Sequence, residues 1–314
     1  MPEAAPLGCL AIVGLGLIGS SIARGARRYG LAERIVAIDA DAAVRARVLD
    51  LGIADDVTGD AAAGAALADL VILCVPVGAI GPVAAAMAPH LKPGAVVSDV
   101  GSVKASVVAA VTPHLPDGIV FVPGHPVAGT EYSGPDAGFS TLFSGRWCIL
   151  TPPEDAPEAA VARVRALWQG LGAVVETMTP EHHDLVLAIT SHVPHLIAYN
   201  IVGTAADLEQ VTQSEVMKFS AGGFRDFTRI ASSDPTMWRD IFLSNREAVL
   251  EMLGRFSEDL SVLTRAIRYG DGAALHDLFT RTRAIRRGIV AQGQETAEAD
   301  FGRARAAEGV PKAG

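Results

Sequence analysis

The sequence is short of what several large classes of protein require. Only three cysteines occur in 314 residues, Cys9, Cys74 and Cys148. Each lies inside an apolar, strand-like run, and an odd number of scattered thiols makes no disulfide framework, which fits a reducing compartment. Basic residues are also few: 26 Lys and Arg stand against 35 Asp and Glu, a formal net charge of −9. No basic stripe offsets that acidity, so no nucleic-acid backbone is expected as a partner. The densest basic stretch, Arg281, Arg283, Arg286 and Arg287, reads as a solvated helix face. The opening MPEAAPLG has no positive segment leading into an apolar one, so no signal peptide is expected. No apolar run reaches the ~20 residues that span a bilayer. The expectation is a soluble, cytoplasmic protein with no membrane partner. Half the residues are hydrophobic and only 19% are charged, which suits a compact globular chain long enough for two domains.

Up to about residue 178, short apolar runs alternate with helical stretches. The runs are Cys9–Val13, Arg34–Ile38, Leu70–Val75, Ala95–Asp99, Ile119–Val122, Trp147–Leu150 and Ala173–Thr177. Several are nearly continuous Val- and Ile-rich stretches, as strands buried on both faces should be. The alternation implies βαβ units and a mainly parallel sheet. After Pro180 the pattern becomes helical, over roughly 181–205, 208–220, 234–270 and 272–295. From Trp238 to Tyr269, residues such as Ile241, Val249, Met252, Phe256 and Leu263 recur at helical spacing. That is more apolar surface than one small domain covers, and packing against a second subunit is expected. The expected division is 1–179 for an α/β domain and 180–314 for an all-α domain that dimerises.

The run Ala11-Ile-Val-Gly14-Leu-Gly16-Leu17-Ile18-Gly19-Ser reads as strand, tight turn and helix. Gly14 permits the turn, Gly16 lets the main chain approach a pyrophosphate, and Gly19 lets helix and strand pack closely. With Leu17 and Ile18 the loop opens a helix whose free N–H groups face phosphate charge. A second strand ends in Asp39, twenty residues past Gly19, where an acid accepts the adenosine ribose hydroxyls and repels a 2′-phosphate. The cofactor expected is therefore NAD on a Rossmann-type doubly wound sheet. Alternatively, Asp39 or Asp41 simply caps a helix. Val75, Pro76 and Ser102 follow later strands and should line the same crevice.

Three segments are polar and glycine-rich beyond the needs of packing: Asp99–Lys104, Gly124–Glu131 and Phe224–Arg229. His125, between Gly124 and Pro126 after an apolar run, is placed at a strand end beside the nicotinamide. There a neutral imidazole could take a proton from a substrate hydroxyl as hydride leaves the same carbon, with Ser102 orienting the ring. A structural histidine is the plainer alternative. His182, His183, His192 and His195 lack an HExxH pattern or a matching ligand set, so a pocket or capping role is expected rather than a metal. Pro194 is expected to interrupt their helix, while the spacing of His192 and His195 puts both on one face. Arg229 or Arg225 could clamp a substrate carboxylate, or form a domain-joining ion pair with Asp226 or Asp234.

GLGLIGSS (14–21), DVGSVK (99–104), GHPVAGTE (124–131), HHDLVLAITSHVPH (182–195) and SAGGFRDFTRIASSDPTMWRDI (220–241) together resemble the successive signatures of the prephenate/arogenate (cyclohexadienyl) dehydrogenase family. The resemblance covers roughly residues 8–290. It implies NAD-dependent oxidative decarboxylation, in which hydride leaves the ring carbon bearing the hydroxyl, carbon dioxide departs, and the ring becomes aromatic. It also implies roles for single residues. His125 accepts the hydrogen bond of the ring hydroxyl, Ser102 supports it, and Arg229 holds the ring carboxylate. His195 and Glu131 line the pocket, Trp238 lies near it, and Ser191 is a weaker match. A helical dimerisation domain is implied as well. No regulatory ACT domain is expected after residue 290 and no fused mutase domain before Gly8, so any control by tyrosine would act at the active site. The rival readings are a β-hydroxyacid or imine-type dehydrogenase of similar fold, and a non-enzymatic NAD-binding regulator. Neither accounts for the segments around His125 and Arg229.

Overall fold

A computed structural model describes residues 5–130, 132–209 and 221–291. Its centre is a six-stranded sheet in the order β3-β2-β1-β4-β5-β6. The strands are β1 (Leu7–Val13), β2 (Ala32–Ile38), β3 (Asp56–Thr58), β4 (Leu70–Leu73), β5 (Val96–Asp99) and β6 (Val120–Phe121). Every pairing is parallel, with Val13 opposite both Ile38 and Leu73. Helices α1 (Leu17–Tyr29), α2 (Ala42–Leu51), α3 (Ala61–Ala65), α4 (Val77–Met87) and α5 (Ala105–Val111) make the crossovers. Side chains alternate between the two faces. Leu10, Ile12, Leu70 and Ile72 pack with Ile22, Phe143 and Trp168 on one side. Ala11, Val13, Val71 and Leu73 pack with Ile80, Val97 and Phe121 on the other.

A second sheet joins β7 (Gly124–Pro126), β8 (Trp147–Leu150) and β9 (Val174–Thr177), with helix α6 (Glu158–Gly170) between the last two. β7 runs antiparallel to β8, and β8 runs parallel to β9. Two strands here escape the sequence pattern. β3 is short and partly polar, and β7 is a Gly-His-Pro tripeptide whose pairing partner lies more than twenty residues away. His125 therefore sits within a short strand of the second sheet rather than at the end of a strand of the first. β4 is also shorter than its apolar run, because Pro76 stands at the N-cap of α4.

From Pro180 onward the described chain is helical. α7 (Pro180–Leu187) passes through one π turn (Ala188–His192) into α8 (Val193–Glu209). Pro194 does not interrupt this helix. The wider turn before it, closed by Val193 N–H donating to Ala188 C=O, carries the path past the proline. By length and mean hydropathy (1.5) Pro180–Leu208 is apolar enough to cross a membrane, which the expectation from run length did not include. Polar side chains nevertheless stud it, and three of them, His183, Asp184 and His192, are buried against the rest of the fold. After α9 (Gly222–Thr228), the single helix expected over 234–270 is two: α10 (Pro235–Ser244) and α11 (Arg246–Tyr269), broken at Asn245. α12 (Gly272–Ala291) follows. Most of the helix expected over 208–220 lies outside the described residues. α10 inserts Trp238 and Ile241 into the apolar cluster around α4, which docks the helical part onto the sheet.

Candidate active site

The glycine loop begins where β1 ends. Gly14 has φ +94°, a conformation a side chain strains, and a Cβ there would lie 2.7 Å from the Cys74 carbonyl oxygen. At Gly19 a Cβ would lie 1.9 Å from the carbonyl oxygen of Gly14, so helix and turn meet only because it is glycine. Gly16 differs, since a Cβ would meet nothing within 4 Å. It faces open space at the N-terminus of α1, where a pyrophosphate fits against the main chain. Asp39 reaches across from the end of β2. One carboxylate oxygen accepts the Leu15 N–H at 2.8 Å and the other the Asp41 N–H at 2.9 Å. The helix cap is Asp41, which accepts the Ala43 N–H. Asp39 instead braces the glycine loop. Val75, Pro76 and Ser102 follow β4 and β5 at the same edge of the sheet. The residues present fit a dinucleotide.

Next to this edge lies a buried polar network. Lys104 and Asp99 pair with no solvent exposure. The Lys104 ammonium also donates to the Gly124 carbonyl at 2.7 Å, and Gly124 N–H donates to Asp99 at 3.2 Å. These bonds pin β7 to the end of β5 and so place His125. Its Nδ1 lies 2.8 Å from Nε2 of His183, whose own Nδ1 lies 2.8 Å from Asp184 Oδ1. Asp184 also accepts the N–H groups of Lys104 (2.7 Å) and Ala105 (2.9 Å), capping α5 from another helix. Asn245 donates to the Asp184 carbonyl at 2.8 Å and lies 3.1 Å from His192 Nδ1. Burial, reinforced by His183, Lys104 and His192, holds the His125 pKa well below the ordinary histidine value. Burial also lowers His183, and it pulls His192 down to about 4.

Beyond His125, His195 stacks on Trp238 with ring centroids 3.7 Å apart, and His192 meets the same indole edge-on at 6.0 Å. Both histidines thus face one residue, as their spacing implies. The Ser191 carbonyl accepts from His195 Nδ1 at 2.8 Å, so Ser191 positions that ring through its main chain. Arg229 lies close enough for its charge, after burial, to help lower the His195 pKa. Among the described residues, the buried Trp238 Nε1 has no hydrogen-bond partner. Glu131 lies outside the described residues.

The chain that carries this nucleotide-binding edge and buried histidine network matches one family in two parts. Residues 22–177 match the family model for the nucleotide-binding domain of prephenate dehydrogenase, and residues 179–281 match the model for its dimerization domain. The chain is 46% identical over 277 residues to the cyclohexadienyl dehydrogenase of Zymomonas mobilis subsp. mobilis, covering 88% of this chain and 94% of that one.

The chain belongs to the prephenate dehydrogenase family. Among solved structures, prephenate dehydrogenase from A. aeolicus in complex with hydroxyphenyl propionate and NAD+ superposes with a TM-score of 0.85 at 35% identity, over 91% of this chain and all (100%) of that one. Synechocystis arogenate dehydrogenase superposes with a TM-score of 0.77 at 27% identity, over 90% and 99%. Within this family member, His125 is held through Nδ1 by His183, and the Ser102 main chain lies against His192. Asp184 and Asn245 were not singled out in the sequence, while Asp99 and Lys104 stood out only as ends of a polar segment and His183 only as a pocket or capping histidine. The signal available was their density of polar groups within segments otherwise apolar enough for a core.

Proposed function

We propose that this chain catalyses NAD-dependent oxidative decarboxylation of prephenate, arogenate or both, giving 4-hydroxyphenylpyruvate or tyrosine, with His125 as proton acceptor. The observation that carries the reading is His125 itself. It is a buried imidazole, kept neutral and fixed through one nitrogen, at the edge of a dinucleotide-binding sheet. Gly14, Gly16, Leu17, Ile18, Gly19 and Asp39, with Val75, Pro76 and Ser102, would hold NAD, which would supply the hydride acceptor. His125 Nε2 accepts the hydrogen bond of the ring hydroxyl and draws its proton as the C–H bond breaks. When the carboxylate leaves as carbon dioxide and the ring becomes aromatic, the proton returns to the same oxygen. The reaction as a whole thus consumes and releases no proton, and the base is needed only while positive charge builds on the hydroxyl. Arg229, with His195, holds the ring carboxylate by charge-assisted hydrogen bonds, while Trp238 braces His195. Glu131 completes the pocket by family resemblance.

The same reading assigns residues 1–179 to the cofactor and 180–314 to substrate and dimerisation. A homodimer through the helical part is supported by exposed apolar side chains along two consecutive helices, among them Leu250, Val262 and Ile267 on α11 and Phe279 and Ile285 on α12. A cytoplasmic location belongs to this reading and is supported by three free cysteines. The test is turnover. Purified protein with NAD and either prephenate or arogenate should generate reduced-nicotinamide absorbance, and no turnover with either overturns the proposal. His125→Asn should lower kcat by roughly 10²–10⁴ while NAD still binds. Near-normal turnover would remove His125 from its role.

A further inference from the structure

We propose that His183 and Asp184 are positioning residues that hold His125 as its Nδ1–H tautomer, so that Nε2 presents its lone pair to the substrate hydroxyl. The inference rests on His125 being the proton acceptor. The tautomer follows from one end of a chain of hydrogen bonds. Asp184 Oδ1 already accepts the Lys104 main-chain N–H at 2.7 Å, and Oδ2 accepts that of Ala105 at 2.9 Å. A carboxylate receiving on both oxygens has no hydrogen to give, so the 2.8 Å contact with His183 is a bond donated by His183 Nδ1–H. The other nitrogen of a neutral His183 then carries a lone pair. At 2.8 Å from His125 Nδ1, that lone pair can only accept, and His125 must donate from Nδ1–H. Its Nε2 is left unprotonated and, among the described residues, has no hydrogen-bond partner.

The groups facing the pair keep this order in place. His125 is faced by His183, by Lys104 from the turn before α5, by His192 from the π turn and by Cys148 from β8. His183 is faced by Asp184, Lys104 and Asp99. Burial and the Lys104 cation disfavour protonation of either ring before substrate arrives. While His125 briefly holds the hydroxyl proton, its Nδ1–H bond to His183 strengthens, with the Asp184 carboxylate behind it. The same carboxylate that orients the base also caps α5, so the geometry of the sheet edge and the tautomer of the base are set by one side chain.

The first measurement uses the unmodified protein. Long-range 15N correlation of histidine-labelled protein near neutral pH, with His125 assigned by its loss in His125→Asn, should show Nδ1 protonated and Nε2 bare. The opposite tautomer overturns the proposal. The second compares two side chains of similar bulk. In His183→Gln the amide oxygen can still accept from His125 Nδ1–H, whereas in His183→Leu nothing can. The leucine variant should lose about tenfold or more in kcat relative to the glutamine variant, with NAD binding unchanged in both. Equal kcat in the two variants would make His183 a packing residue and overturn the proposal. If His125→Asn keeps full turnover, the reading of His125 falls. If it abolishes turnover while the tautomer is reversed, only the positioning role falls.

Discussion

Lys104→Met tests whether the buried ion pair places the catalytic strand. The methionine fills similar space but removes the cation paired with Asp99, both side chains being fully buried. Asp99 keeps two main-chain donors, Gly101 N–H at 2.8 Å and Gly124 N–H at 3.2 Å, and the Gly124 carbonyl loses its donor at 2.7 Å. Removing one partner of a buried pair costs about 3–5 kcal/mol. For a cooperative unit of this size that is a fall in Tm of about 6–20 °C, read by circular dichroism or by fluorescence of the buried Trp168. Asp99→Asn should cost less, because Lys104 can shed its proton. Burial already lowers the Lys104 pKa, and Asp99 opposes that lowering, so without Asp99 the folded-state value drops further. Between that value and the unfolded value near 10.4, the unfolded chain binds more protons. The stability of Asp99→Asn must therefore rise with pH across that window. Combining both substitutions should recover much of the loss, since no unpaired charge remains. A Lys104→Met Tm within about 3 °C of the unmodified protein would refute the reasoning.

Asp39→Asn keeps an acceptor for the Leu15 N–H but loses the charge, so NAD affinity should fall about 10–100-fold, with less discrimination against the 2′-phosphorylated cofactor. Unchanged preference in titrations with both cofactors would confine Asp39 to bracing the loop. Arg229→Ala should act mainly on KM for the ring substrate, and an unchanged KM would move the clamp to Arg225. Because burial keeps His125 neutral to lower pH than an ordinary histidine, kcat/KM should hold through pH 6.5 and fall only on further acidification. An acid limb at or above the ordinary histidine pKa would contradict the neutral, buried base. Stability should follow the same sign. His125, His183 and His192 have folded pKa values below their unfolded ones, so the unfolded state binds more protons and Tm should fall as pH drops below about 6.5.

What was legible in the sequence was local, and what was missed was long-range. The glycine loop could be read because each of its glycines answers a short-range constraint: a turn at Gly14, a contact with that turn at Gly19, an approach at Gly16. The parallel sheet followed from apolar runs whose hydrogen bonds must be met by like neighbours. The site was less visible because its defining contacts join residues far apart in the chain. Asp184 caps α5 from eighty positions away, and His183 holds His125 from fifty-eight. No periodicity carries such a pairing. The break at Asn245 was hidden for the same reason. The apolar pattern continues through it, while the bonds of its side chain to the Asp184 carbonyl and toward His192 join it to residues far away in the chain. These misses share one centre, since β7, the π turn and the Asn245 break all bring polar groups to Asp184 and His125. An apolar core would tolerate sliding of one helix past another. A set of directional bonds such as those joining Lys104 to Asp99 and Asp184 through His183 to His125 does not, and a base proposed to hold one tautomer needs that rigidity.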